Sequence, residues 1–192
     1  MATTTSINQF TDTRLANVVL APFAPMTTDE REWTIHNLQE TDVAAAKLLF
    51  QKLHSFNASL DARFALSADW ETYFDEAIQQ ALHGEQVLAL IAYETDTDRP
   101  CGFVLATIHA DSGMWYYHEW VEVEGLYVED RWRGRGLAEA LLGQACEWAN
   151  SIHQPVVQLY VTASNERAIS FYQHKGFSQT QIIMRKVLEE AS

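Results

Sequence analysis

Between positions 125 and 138 the chain reads Gly125-Leu126-Tyr127-Val128-Glu129-Asp130-Arg131-Trp132-Arg133-Gly134-Arg135-Gly136-Leu137-Ala138. An apolar run stops, a short turn rich in Arg and Gly follows, and an Ala/Leu-rich helical pattern begins at once. That order suits an anion. Glycine lets a backbone approach a ligand closely. The first amides of a helix have no carbonyl partner within it, and the helix dipole puts partial positive charge at the same end. Arg131, Arg133 and Arg135 add formal charge around the turn. A phosphate or a diphosphate fits such a cradle.

Three kinds of phosphate loop compete for the pattern. A nucleoside-triphosphate loop ends in Gly-Lys-Ser or Gly-Lys-Thr, and neither occurs in the chain. A dinucleotide fingerprint takes Gly134 and Gly136 as its first pair but meets Glu139 where the third glycine belongs. Its usual place is also the first βα unit. The diphosphate loop of coenzyme A binders, R/Q-x-x-G-x-G/A, fits in two overlapping registers, Arg131 to Gly136 and Arg133 to Ala138. Further on stands Asn165-Glu166-Arg167-Ala168-Ile169-Ser170-Phe171-Tyr172-Gln173-His174-Lys175-Gly176-Phe177. Ser164 or Asn165 can cap a helix, Ala168, Phe171 and Tyr172 share a helical face, and Gly176 can close the helix in the left-handed conformation. The loop and this second pattern, N-x-x-A-x-x-F-Y-x-x-x-G-F, together resemble the GNAT family of N-acetyltransferases, the loop being its motif A. The likeness runs over residues 33–188, with its specific residues within 122–177.

The resemblance implies an α/β fold with a mixed, mostly antiparallel central sheet and helices on both faces, the acyl-CoA N-acyltransferase fold. It implies acetyl-CoA as cosubstrate and no metal. The strand entering the loop and the one at 156–161 would splay apart to admit the pantetheine arm. Main-chain groups of the Leu126-Tyr127-Val128 segment, those of Leu126 and Val128 above all, would pair with that arm. The amides from Arg131 to Ala138 (Arg131, Arg133, Gly134, Arg135, Gly136, Leu137 and Ala138 among them) would meet the diphosphate, and Asn165 would touch the arm.

Acetyl transfer to an amine needs a deprotonated nitrogen, a polarised thioester carbonyl and a proton donor for the departing sulfur. With both substrates bound together, no covalent enzyme intermediate is required. Tyr172 matches the family tyrosine near the thioester sulfur, and a phenol of pKa about 10 suits the role of acid. A core tyrosine bonded to backbone is the plain alternative. Glu124, then Glu122, are the candidate bases. Strand alternation puts them on one face, leading into the loop. Glu124 also matches a glutamate of polyamine-type relatives. Either carboxylate could instead hold a cationic substrate or simply be solvated. Gly125 inside the strand suggests a bulge, which would re-aim these side chains. His118 could relay a proton or be a loop residue, and the aromatic run at 115–120 could line an acceptor pocket or only pack. A domain that binds acyl-CoA without turning it over is the competing reading of the whole.

Composition sets the frame. At 192 residues with 47% hydrophobic content and six tryptophans, the chain suits one globular domain. No run of 18 apolar residues and no signal segment is apparent, so a cytoplasmic protein without a membrane partner is expected. Cys101 and Cys146 sit in apolar stretches and read as small buried hydrophobes in a reducing compartment. No metal-ligand spacing occurs. Net charge is −13, and residues 1–125 carry 19 acidic against 6 basic side chains. Residues 126–192 carry 7 of each. The basic charge is local to the loop, which argues against nucleic acid. The acidity would favour a cationic amine, small molecule or protein, or serve only solubility. Homodimers are frequent among relatives of this kind.

The elements that must place these residues follow from periodicity. Residues 1–30, rich in Thr, Ala and Pro, are expected to form a flexible tail, and 31–192 a single domain. A strand is expected at 33–38, then a helix from Thr41-Asp42 through Ala44, Leu48, Leu49 and Leu53. A second helix starts at Ser67-Ala68-Asp69 and stops at Gly84. Strands at 86–93 and 102–109 form a hairpin, followed by a strand at 116–128 and a helix at 136–150. A strand at 156–161, a helix at 165–175 and a last strand near 179–188 complete the order βααβββαβαβ, an open sheet between helical layers.

Overall fold

The computed structural model describes residues 32–84 and 86–186, so the tail expected at 1–30 lies outside the described residues. Five strands form one sheet in the order β1-β2-β3-β4-β5: β1 (Trp33–Asn37), β2 (Val87–Glu94), β3 (Pro100–Ala110), β4 (Glu119–Val128) and β5 (Val157–Leu159). The first three pairings are antiparallel and β4 with β5 is parallel. Short loops join β2 to β3 and β3 to β4, and the parallel pair takes a crossover, supplied by α3 (Leu137–Ser151). The other helices are α1 (Val43–Leu60) and α2 (Trp70–His83), which lie between β1 and β2, and α4 (Glu166–His174).

Alternation along the strands divides the core in two. Phe103 and Leu105 of β3 face Leu49 of α1 and Phe74 and Ile78 of α2. Val104 and Ala106, one residue out of phase, face Leu137, Leu141 and Ala145 of α3. Phe171, Tyr172 and Phe177 cover the edge of this second cluster. The α1 stripe falls on Ala46 and Leu49, and Leu48 is left half exposed.

The last strand expected near 179–188 is a correction. Residues 178–186 form no strand, and Ile182, Ile183 and Met184 are exposed. A strand is stable only beside a partner, and β5 offers an edge of three residues. Cys101 is buried and Cys146 half-buried, both as free thiols. No described helix is long and apolar enough to cross a membrane.

Candidate active site

β4 carries an irregularity at the position its glycine suggests. Gly125 pairs with Leu105 while Val123 pairs with Ala106, so Glu124 is the extra residue. The bulge reverses the parity of the strand. Val121 and Val123 face α3 before it, and Val128 faces α3 after it, three residues on plus an even number. Gly125 lies against Phe103, whose ring atoms would stand 3.2 Å from an added Cβ. Glu124 is exposed and its carboxylate accepts a hydrogen bond from Thr107 Oγ1 at 2.8 Å. Glu122, half-buried, accepts one from Trp120 Nε1 at 3.2 Å. Trp120 in turn stacks on His109, ring centroids 4.5 Å apart. His118 is held in the loop by its bond to the Trp115 carbonyl at 3.2 Å, and Met114, Trp115, Tyr116 and Tyr117 are exposed.

Beyond the bulge β4 has a neighbour on one side only among the described residues. Its ladder with β5 covers Val121–Val157, Glu122–Gln158 and Val123–Leu159 and then ends, while β4 continues to Val128. The Glu129 amide donates to the Cys101 carbonyl at 2.9 Å. Main-chain groups alternate in direction along an antiparallel pair. Tyr127 and Glu129 therefore address β3, and Leu126 and Val128 turn their amides and carbonyls into the gap. Tyr127 instead contributes its buried ring to the α1 side. The Val128 carbonyl already accepts from Arg133 Nε at 3.1 Å, which leaves its amide and both groups of Leu126.

The Arg/Gly turn begins with a single 3₁₀ turn at Asp130–Trp132. Gly134 and Gly136 then take φ of +76° and +81°, a region costly to any residue with a Cβ. Open space surrounds both α-carbons, so backbone conformation, not crowding, demands glycine here. Gly136 is the N-cap of α3. The Arg133 and Arg135 amides are spent within the turn, on the Asp130 and Trp132 carbonyls. The amides of Gly134, Gly136, Leu137 and Ala138 have no carbonyl partner among the described residues. These four form the cradle.

The three arginines surround the turn but each has its own carboxylate. Arg131 pairs with buried Glu94, Arg133 with Asp130 at 2.5 Å, and Arg135 with Glu32 at 2.9 Å. The Arg133 guanidinium also lies over the rings of Tyr127 and Phe56. Their positive charge is thus partly neutralised, and the unpaired amides and the positive end of the α3 dipole remain as the turn's uncompensated positive potential.

The second pattern resolves into capping chemistry. The Asn165 side chain accepts from the Ala168 amide at 3.1 Å and caps α4. At the other end Gly176, with φ of +88°, follows the cap residue Lys175. The Phe177 amide reaches the Tyr172 carbonyl at 3.0 Å, and the Gly176 amide reaches Gln173 at 3.1 Å. This is a Schellman closure, and its usual apolar contact is the Phe177 ring against Tyr172, 5.7 Å between centroids. Phe171 also meets the ring edge-on, 5.3 Å between centroids. Burial pushes the Tyr172 phenol up to about 12, and its hydroxyl has no hydrogen-bond partner among the described residues.

Sequence reasoning missed the tie between the two patterns. Lys175, at the end of α4, forms an ion pair with Glu139 in the first turn of α3. The residue that spoils the dinucleotide fingerprint thus fastens the helix bearing Tyr172 to the helix bearing the cradle. Among the described residues no group of His, Cys, Asp and Glu is placed to hold a metal.

This geometry agrees with comparison to known proteins. Residues 53–177 match the family model described as the acetyltransferase (GNAT) family. The chain belongs to that family. An uncharacterized N-acetyltransferase of Methanocaldococcus jannaschii is 32% identical over 85 residues, 44% of this chain and 37% of that protein. A mycothiol acetyltransferase of Mycobacterium avium is 34% identical over 96 residues, 44% of this chain and 28% of its own. The chain thus spans well under half the length of these relatives. In fold it is similar to AAC(6')-Iy in complex with a bisubstrate analog, CoA-S-monomethyl-acetylneamine. The TM-score is 0.65 at 18% identity, over 83% of this chain and 99% of that one.

Proposed function

We propose that this GNAT protein transfers an acetyl group from acetyl-CoA to a primary amine, both substrates being bound at once. The observation that carries the reading is the cradle: free amides of Gly134, Gly136, Leu137 and Ala138 at the positive end of α3, beside a strand edge that has lost its neighbour. The donor set fits the cosubstrate. Four N–H groups suit a diphosphate, and the Leu126 and Val128 main chain suits the amide-bearing pantetheine arm, which can pair like a strand.

In this reading Leu126 and Val128 align the arm, and the arm's direction brings the thioester toward the bulge. Tyr172 donates to the departing sulfur. Burial lifts its phenol to about 12, above the value of about 8.5 for a free thiol, so complete proton transfer is unfavourable and Tyr172 acts chiefly as a hydrogen-bond donor. Glu124, or Glu122 behind it, takes the amine proton directly or through water. Asn165, its oxygen committed to the Ala168 amide, has its side-chain NH2 left for the cofactor arm. The acceptor is a small-molecule amine or a protein lysine, and exposed aromatic and acidic groups between Asp111 and Glu124 favour a cationic one.

Release of free coenzyme A in a screen of diverse amines tests the proposal. Turnover with any primary amine supports it. Tight coenzyme A binding with no turnover across the screen would favour an acyl-CoA-binding regulatory domain, and no binding would dispose of both.

A further inference from the structure

We infer that Glu94 is the positioning residue of the diphosphate cradle. The inference rests on the acetyl-CoA reading above and adds a residue that neither sequence pattern contains. Glu94 is the last residue of β2 and one of two buried carboxylates in the described structure, only 5% exposed. Burying a carboxylate is costly unless its oxygens are paired and hydrogen-bonded. Here donors from two separate segments meet it. Thr97 Oγ1, in the β2–β3 turn, donates at 2.5 Å. Trp132 Nε1 donates at 2.8 Å, and the Arg131 guanidinium forms an ion pair with the same oxygen.

The two partners on the far side are consecutive residues of the 3₁₀ turn that delivers the chain to Gly134. Trp132 is the pivot. Its indole is buried in the α3-side core, its carbonyl accepts from the Arg135 amide at 3.3 Å, and the Arg135 guanidinium lies over its ring. Fixing Trp132 therefore fixes where the cradle starts. Glu94 also pairs with Arg131, which ties that guanidinium, and the first turn of the loop, to the scaffold. One carboxylate thus holds together the end of β2, the β2–β3 turn and the entrance of the anion loop. Without it the indole N–H and the guanidinium lose their buried acceptor, and the cradle samples conformations in which its amides diverge.

Binding of coenzyme A and of pantetheine, which lacks the diphosphate, to the full chain tests this by calorimetry. Glu94→Ala and the milder Glu94→Gln are compared with wild type. Expected is at least tenfold weaker coenzyme A binding for Glu94→Ala and a smaller loss in the same direction for Glu94→Gln, which keeps an acceptor for Trp132. Pantetheine binding should change less than twofold in both. If Glu94→Ala fails to fold, Glu94→Gln decides alone. Unchanged coenzyme A affinity in a folded variant overturns the positioning role. An equal loss for coenzyme A and pantetheine also overturns it, because that marks a general structural defect. Wild type that binds no coenzyme A at all defeats the acetyl-CoA reading itself.

Discussion

At the scale of single residues, the structure turns two side chains into measurable claims. Tyr172 packs against both Phe171 and Phe177 and its phenol is pushed up to about 12 by burial. A group with so high a value stays protonated across the working range. Tyr172→Phe should lower turnover by roughly 10- to 1,000-fold, the span of one hydrogen-bond donor to developing charge. Coenzyme A affinity should change little. The pH profile of kcat should show no falling limb from this phenol below about pH 11; such a limb near pH 9 that vanishes in Tyr172→Phe would contradict its environment. Asp42 makes the second claim, on stability. Burial raises its pKa, but bonds from the Gln39 amide, the Tyr93 hydroxyl and His36 outweigh that and leave it lowered. Its contribution is therefore present above the unfolded value near 3.8 and fades as pH falls through the folded one. Asp42→Asn should cost about 1–3 kcal/mol at pH 7. In urea melts the gap to wild type should narrow as pH falls below the unfolded value near 3.8; a gap independent of pH would show that the carboxylate charge is not what matters.

At the scale of elements, the relative worth of two contacts on α4 can be argued. The Lys175–Glu139 pair is partly exposed on both sides, and such pairs contribute about 0–1 kcal/mol. The Schellman closure at Gly176 demands a positive φ, which costs a residue with a Cβ roughly 1–2 kcal/mol. Gly176→Ala should then lower the thermal midpoint by several degrees and Lys175→Met by far less; the reverse order would mean that the ion pair, not the cap, docks α4. The same argument applies at the start of α3. Gly136→Ala strains the cradle without crowding it, so it should weaken coenzyme A binding about tenfold at nearly unchanged secondary structure, read by calorimetry and circular dichroism. What was legible in the sequence follows the same physics. Gly134, Gly136, Asn165 and Gly176 were readable because backbone conformation and capping are local properties. The bulge was half readable: Gly125 announced it, yet only the pairing with β3 shows that Glu124 is the extra residue. Of the strand expected near 179–188, the described residues 178–186 form none, because their apolar side chains satisfy a local pattern but have no described neighbour to pair with. Glu94 left no signal of its role, since Thr97 beside it marks only a turn and its other partners, Arg131 and Trp132, are far along the chain. A tryptophan within an Arg/Gly turn was the one hint, because a buried indole usually finds an acceptor.

At the scale of the whole molecule, charge distribution makes a prediction with two opposite signs. The net charge is −13, and the excess lies in residues 1–125. The arginines of the loop are paired with Glu94, Asp130 and Glu32, so the loop is not a strongly positive island in that field. A polyanion such as acetyl-CoA must then approach against repulsion, while a cationic amine is drawn in. Salt weakens both effects as the Debye length shrinks from about 30 Å at 0.01 M to about 8 Å at 0.15 M. Raising salt over that interval should therefore lower kcat/KM for a cationic acceptor and raise it for acetyl-CoA, with a neutral amine unaffected. If kcat/KM for both substrates fell together, acetyl-CoA would be sensing a local positive field that overrides the net charge. The cradle would then owe its affinity to guanidinium groups released from their carboxylates. The amides of Gly134, Gly136, Leu137 and Ala138 would be secondary, and Arg131→Ala would remove the salt dependence that Gly136→Ala leaves intact.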